Sequence, residues 1–167
     1  INISDYAREL AAAYWPGPMT LVLRRSSKAK DFITGGQNTV ALRVPDLPLA
    51  REIITQLGQA KGDACAGVAA PSANRFGKVS PTTLRHAVDE LQDYLTDGDA
   101  GIDGGPAEVG IESTIIDCTG PAPIILRRGF ITDSDIQVIV ELSKQDSQVR
   151  APGMLASHYA PDAKVQV

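Results

Sequence analysis

The residues best suited to chemistry lie in short separated clusters. Ala70-Pro71-Ser72-Ala73-Asn74, followed by Gly77 and Ser80-Pro81-Thr82, joins an apolar run, a tight loop and a helix start. A helix start offers unpaired backbone N–H groups and the positive end of the dipole, a seat for phosphate. Ser72 and Ser80 can add hydroxyl donors; the same residues also suit an ordinary loop with a capping serine. The Walker A pattern is absent. On the run Thr39 to Arg43, strand spacing puts Thr39, Ala41 and Arg43 on one face, with the arginine pointing inward. Such a guanidinium can grip a carboxylate bidentately, or close a salt bridge at a sheet edge. Ser113, in Gly110-Ile111-Glu112-Ser113-Thr114, sits at a strand mouth after a glycine-rich loop, where it lines a site or simply completes a turn. Arg127 and Arg128 end a strand, where one can face phosphate while the other is solvated, or both can be solvated.

Other arrangements fail on spacing. Asp97, Asp99 and Asp103 lack the closing glutamate of a calcium loop. Ser113 with His158 lacks a nucleophile elbow. His86 and His158 are isolated, and Cys65 and Cys118 form no CxxC pair. They read as two buried thiols in a reduced compartment, with no zinc spacing.

These clusters must be carried by a modest scaffold. The chain has 167 residues, 43% of them hydrophobic, which predicts one compact domain with a tail. A net charge of -4 argues against a broad basic surface for nucleic acid, while leaving room for a local basic pocket. Without a signal peptide or a long apolar run, the expectation is a soluble, cytoplasmic protein.

The pattern predicts a helix over 3–14, capped by Ser4, with Tyr6, Leu10 and Ala13 on one face and Pro16-Gly17-Pro18 as its stop. Strands are expected at 20–23, 39–44, 67–70, 114–117 and 123–126. Helices are expected at 49–57, from Ser80-Pro81-Thr82 through Leu95, and at 133–142, capped by Thr132 or Asp133. Residues 143–152 read as a polar linker, and 164–167 as the start of another strand. The irregular alternation predicts an α/β fold with a mixed sheet.

Taken in order, these segments resemble the YrdC family. Tyr14-Trp15-Pro16-Gly17-Pro18-Met19-Thr20-Leu21 is similar to its WPGPLTL block, and Val40-Ala41-Leu42-Arg43-Val44-Pro45 to its VRVP strand. Ala70-Pro71-Ser72-Ala73-Asn74 with Ser80-Pro81-Thr82 resembles PSAN…SPT. Glu112-Ser113-Thr114-Ile115-Ile116-Asp117 resembles ESTIID, and Leu126-Arg127-Arg128-Gly129 resembles LRxG. Ala151-Pro152-Gly153-Met154 and His158-Tyr159-Ala160-Pro161 resemble the linker of the longer, two-domain members, which folds back over the active site. The family's upstream TVYGL and KxR elements have no counterpart here, so against the family pattern the chain looks truncated at both ends.

The resemblance implies a YrdC-like twisted mixed sheet with helices packed on it, incomplete at the N-terminus. It implies a catalytic domain at 1–142, a linker or lid at 143–163 and the start of a C-terminal domain at 164–167. It also implies a nucleotidyltransferase that makes threonylcarbamoyl-AMP and diphosphate from L-threonine, bicarbonate and ATP, for threonylcarbamoyladenosine in tRNA. A carbamate formed on the threonine amine attacks the α-phosphate in line, with Mg²⁺ accompanying the ATP and no covalent nucleophile. Carried over by position, Arg43 holds the threonine carboxylate, while Ala70, through its backbone, and Ser113 fix the rest of threonine. Thr39, Ser72, Ser80 and Arg127 contact ATP, Tyr159 closes over it, and Asn74 is a further polar contact. The product would pass to a tRNA threonylcarbamoyl transferase. The alternatives are an RNA-binding module with weak tRNA affinity, a carbamoyl-transfer variant of hydrogenase maturation, and a catalytically incomplete fragment. Without the KxR cations, this stretch alone is expected to form product poorly.

Overall fold

The computed structural model describes residues 3–75 and 77–151. The chain divides into two units, Ile1–Val68 with Ile111–Ala151, and Ala69–Gly110 with Pro152–Val167.

In the first unit, helix α1 (Asp5–Tyr14) starts at Ser4, which has the extended backbone of an N-cap but makes no side-chain cap bond. It stops at Trp15, whose extended conformation is the one a following proline favours. Its buried residues are Ala7 and Leu10, flanked by half-buried Tyr6, Ala11 and Tyr14. Ala13 is exposed, against expectation, because that face is centred one residue position away from the predicted stripe.

A four-stranded mixed sheet follows the order β2-β1-β3-β4, with β1 at Met19–Arg24, β2 at Thr39–Leu42, β3 at Thr114–Asp117 and β4 at Ile124–Arg127. β1 runs antiparallel to β2 and parallel to β3, and β4 closes antiparallel on β3. Alternation divides β1 cleanly. Met19, Leu21 and Leu23 enter the core with Ala7, Leu10, Ile116, Cys118, Ile131 and Ile136, leaving Thr20 and Val22 for the other face. Leu10, Met19, Leu21, Ile116 and Ile136 are fully buried, each worth about 1.5–3 kcal/mol of transfer free energy.

One irregularity in this sheet matters for the site. Ile116 pairs with Ile125, but Ile115 pairs with Arg127, so β4 carries an extra residue at that point. Ile125 packs on the core. In a regular strand Arg127 would share its face; the bulge instead sets it opposite Ile115, on the Thr20 side.

The first unit also holds α2 (Asp31–Thr34), α3 (Pro48–Lys61) and α5 (Asp133–Gln137). α3 begins on Pro48, and Gly62 ends it with φ of 62°. α5 has a Thr132–Asp135 capping box and is shorter than predicted. The β-branched run Val138-Ile139-Val140 disfavours a further helical turn, and Ile139 N closes back on Ile136 O at 2.9 Å.

Residues 143–151 are irregular and are tied down across one end of the sheet. Ser143 N donates to Pro123 O at 2.9 Å, and the Ser147 hydroxyl to Asp117 at 2.5 Å. Arg150 N donates to Gln37 Oε1 at 3.0 Å. These anchors lie before β4, at the end of β3 and before β2.

Residues 67–70, where the first unit gives way in sequence to the second, are exposed and form no strand, against expectation: Gly and Ala offer little β-branched surface, and no described strand pairs with them. In the second unit, helix α4 (Leu84–Leu91) starts three residues later than predicted. Thr83, not Ser80, is its N-cap, accepting from His86 N, and Pro81 stays outside it. A 3-10 turn at Gln92–Tyr94 ends this helical stretch before Leu95.

Cys118 is buried as expected, but Cys65 is exposed, in the turn that follows α3.

Candidate functional site

Ser113 is the centre of the best-formed polar cluster in the first unit. It lies just before β3, 7% exposed, on the face of the sheet that Thr20 shares. Its hydroxyl is 2.9 Å from Thr20 Oγ1 and accepts from Arg127 Nη2 at 3.0 Å. Its carbonyl accepts from Arg127 Nη2 at 2.8 Å and Nε at 3.1 Å. Glu112 faces the same guanidinium at 3.4 Å, with the Arg127 side chain 11% exposed. A nearly buried arginine needs such a partner, since an unpaired buried charge is costly.

The backbone around Ser113 is braced as well. Thr114 N donates to Pro18 O at 3.0 Å, and its hydroxyl to Ile131 O at 2.7 Å. Gly129 lies flat on this segment: a Cβ there would meet Ser113 C and Thr114 N at 2.6 Å, and Glu112 O closer still. The turn after β4 therefore touches Ser113 directly, which only glycine allows.

Arg43 departs from the predicted picture. β2 ends at Leu42, so Arg43 sits on the exit turn with 40% of its side chain exposed rather than pointing inward along a strand. Its Nε donates to Gly17 O at 2.9 Å, and its Nη2 makes a loose 3.7 Å pair with Asp46. Arg43 and Ser113 thus both attach to the Gly17-Pro18-Met19-Thr20 segment. Gly17 is required there, because a Cβ would run into the carbonyl of Tyr14.

Thr39 lies elsewhere. It pairs with Arg24, whereas Thr114 pairs with Met19, so about 17 Å of β1 separates the two positions. Beside Thr39, a cleft of about 950 Å³ is lined by Arg24, Arg25, Lys30, Asp31, Phe32 and Asn38. Arg25 there is already paired with Asp31 at 2.5 Å. Despite its size, this cleft is not where Ser113 and Arg127 meet.

Ala70, Ser72, Asn74 and Ser80 belong to the second unit. Ala70 and Ser72 are exposed and Ser80 is half-buried. Asn74 Nδ2 donates to Arg75 O at 2.9 Å and Lys78 O at 3.0 Å, which folds the loop over 74–78, while its Oδ1 is buried without a partner. Tyr159 lies outside the described residues. Arg128, the second cation of its pair, is on the surface and bound to Asp133 at 2.9 Å.

Residues 1–129 match the family model described as Telomere recombination (Sua5/YciO/YrdC). The chain belongs to the Sua5/YciO/YrdC family. Residues 131–167 match the model described as Threonylcarbamoyl-AMP synthase, C-terminal domain. Among relatives of this Sua5/YciO/YrdC chain, the Bacillus subtilis threonylcarbamoyl-AMP synthase is 38% identical, over 98% of this chain and 46% of its own length. The Pyrococcus abyssi threonylcarbamoyl-AMP synthase is 40% identical, over 99% and 48%. The structure is similar to Pyrococcus abyssi Sua5 complexed with L-threonine, with a TM-score of 0.77 and 37% identity, covering 98% of this chain and 48% of that one. The chain therefore spans about half the length of the curated relatives it matches. The α/β fold with a mixed sheet agrees with the sequence-based expectation.

Thr20 and Glu112 are not marked out by residue type or spacing, although both lie inside matching blocks. The available signal for Thr20 is its parity: a hydroxyl residue between Met19 and Leu21, on the non-core face of an otherwise apolar strand.

Proposed function

We propose that this protein is a threonylcarbamoyl-AMP synthase, forming threonylcarbamoyl-AMP and diphosphate from L-threonine, bicarbonate and ATP. The observation that carries this reading is the likeness of nearly the whole chain to a Sua5 solved with L-threonine. In this reading Arg43 takes the amino-acid carboxylate through its Nη groups, giving up the loose Asp46 pair for the ligand while Nε stays anchored on Gly17. Ser113 and the backbone of Ala70 hold the rest of threonine. Thr39, Ser72, Ser80 and Arg127 contact ATP, Asn74 adds a polar contact, and Tyr159 closes over the nucleotide. Among the described residues, no group of three or more His, Cys, Asp or Glu side chains is placed to hold a metal. In this reading Mg²⁺ comes with the substrate, carried on the ATP phosphates.

The chemistry asks for positioning and charge stabilisation rather than a nucleophilic side chain. Bicarbonate loses water to give CO2, the neutral threonine amine captures it as a carbamate and releases a proton, a carbamate oxygen attacks the α-phosphorus in line, and diphosphate leaves. The product would go to a tRNA threonylcarbamoyl transferase. Among the described residues no helix is long and apolar enough to cross a membrane. In this reading the enzyme works in the cytoplasm, where its tRNA-modification substrates are.

Diphosphate release by the whole protein tests the reading. Release should require L-threonine, bicarbonate and Mg-ATP together. Release that ignores L-threonine, or none under any combination, would overturn it.

A further inference from the structure

The Thr20–Ser113 contact carries information about proton direction. Arg127 has no acceptor, so at Ser113 Oγ it must donate, which occupies one of the two lone pairs on that oxygen. Among the described residues, the half-buried Thr20 hydroxyl has Ser113 as its hydrogen-bond partner. If Ser113 donated to Thr20, the Thr20 proton would lack an acceptor in a part-buried place, a costly arrangement. The consistent assignment is that Thr20 also donates to Ser113. Both lone pairs of Ser113 are then filled, and its own O–H is left to point at a ligand.

We propose that Thr20 is a positioning residue that, together with Arg127, makes the Ser113 hydroxyl an obligate donor toward an acceptor oxygen of the amino-acid substrate. This rests on the threonine-binding reading above. An obligate donor suits a carboxylate, hydroxyl or carbamate oxygen and rejects an ammonium group. It therefore favours the amino acid once its nitrogen faces away from Ser113. The supports are stiff: Thr20 is on β1 in the middle of the sheet, and Arg127 is aimed by the β4 bulge. A donor held this way loses little freedom when the ligand arrives.

Calorimetry on the full chain, with L-threonine and Mg-ATP as separate ligands, tests the inference through Thr20→Val, Thr20→Ser, Ser113→Ala and the Thr20→Val/Ser113→Ala double variant. Thr20→Val should weaken L-threonine about tenfold, the loss of one hydrogen bond's worth of orientation, while Mg-ATP affinity is unchanged. Thr20→Ser should restore binding to within about threefold. In the Ser113→Ala background, Thr20→Val should add less than about twofold, because the hydroxyl it orients is gone. Additive losses, or equal losses for both ligands, would overturn the inference and leave the function standing. If the unaltered chain binds no L-threonine, the inference and the proposed function both fall.

Discussion

Arg127 Nη2 reaches both oxygens of Ser113, the carbonyl at 2.8 Å and the hydroxyl at 3.0 Å, from a neighbouring strand that a bulge has turned toward it. The planar fork of a guanidinium makes this double contact and still faces Glu112; an ammonium, as a compact point charge, cannot span the same set. Arg127→Lys should therefore lower kcat/KM by about 10–100-fold despite the retained charge, the loss of one or two charge-assisted bonds. Steady-state diphosphate release measures it. A variant within about twofold of the parent would mean that the fork is not needed.

Gly129 is the steric counterpart of that contact. Any side chain there would press on Ser113 C and Thr114 N, backbone atoms at the start of the paired strand β3 that cannot step aside. Gly129→Ala should cost about 1–3 kcal/mol of stability or more, read as a lower denaturation midpoint. It should also weaken L-threonine binding, because relief requires the Ser113 segment to move.

Much of this arrangement is legible in the sequence, and what is not has physical causes. β1 and β3 follow from runs of Leu, Val and Ile bounded by turn residues, and Ser113 follows from its place at a strand mouth. The side that Arg127 faces does not, because period-two counting from Ile125 sends it to the core, and only the bulge reverses it. The start of α4 is misplaced because Ser80-Pro81 and Thr83 are both good caps; the hydroxyl that meets His86 N decides between them. Residues 67–70 look like a strand only by apolarity, and a strand also needs a pairing neighbour.

Arg43→Ala should weaken L-threonine by about 10–100-fold and Mg-ATP far less, as expected for a lost charge-assisted grip on a carboxylate. Arg43 is exposed and its ion pair with Asp46 is loose, so the cost to stability should be limited to the lost bond to Gly17 O, about 1 kcal/mol. Calorimetry with each ligand decides, and equal losses for both would remove Arg43 from the carboxylate site.

The two thiols should behave differently toward an aromatic disulfide reagent. Cys65 is exposed, while burial, with nearby Asp117 adding to it, pushes the Cys118 thiol up to about 12. Since the thiolate is the nucleophile, the native protein at pH 8 should release one equivalent promptly, and the second only on unfolding. Cys65→Ser should abolish the prompt equivalent; prompt loss of two would mean that the core around Cys118 opens readily.

The capping box of α5 should make part of the stability pH-dependent. Asp135 accepts from the Thr132 hydroxyl at 2.6 Å and from Thr132 N at 2.9 Å. These bonds, the hydroxyl's first, hold its carboxyl below the ordinary range. A carboxyl depressed by folding binds fewer protons in the folded chain than in the unfolded one. Its contribution is complete above the unfolded value, near pH 4, and is lost as pH falls through the lower folded value. Thr132→Ala removes both the cap and the cause of the depression, and should lower the melting midpoint by about 2–4 °C at pH 7. Asp135→Asn cannot titrate, so the gap between it and the parent should stay constant from pH 7 to pH 5 and narrow below about pH 4. Thermal melts of the three proteins across that range measure this. A gap that persists unchanged at pH 3, with all three still folded there, would show that the carboxylate charge at Asp135 does not support the helix start.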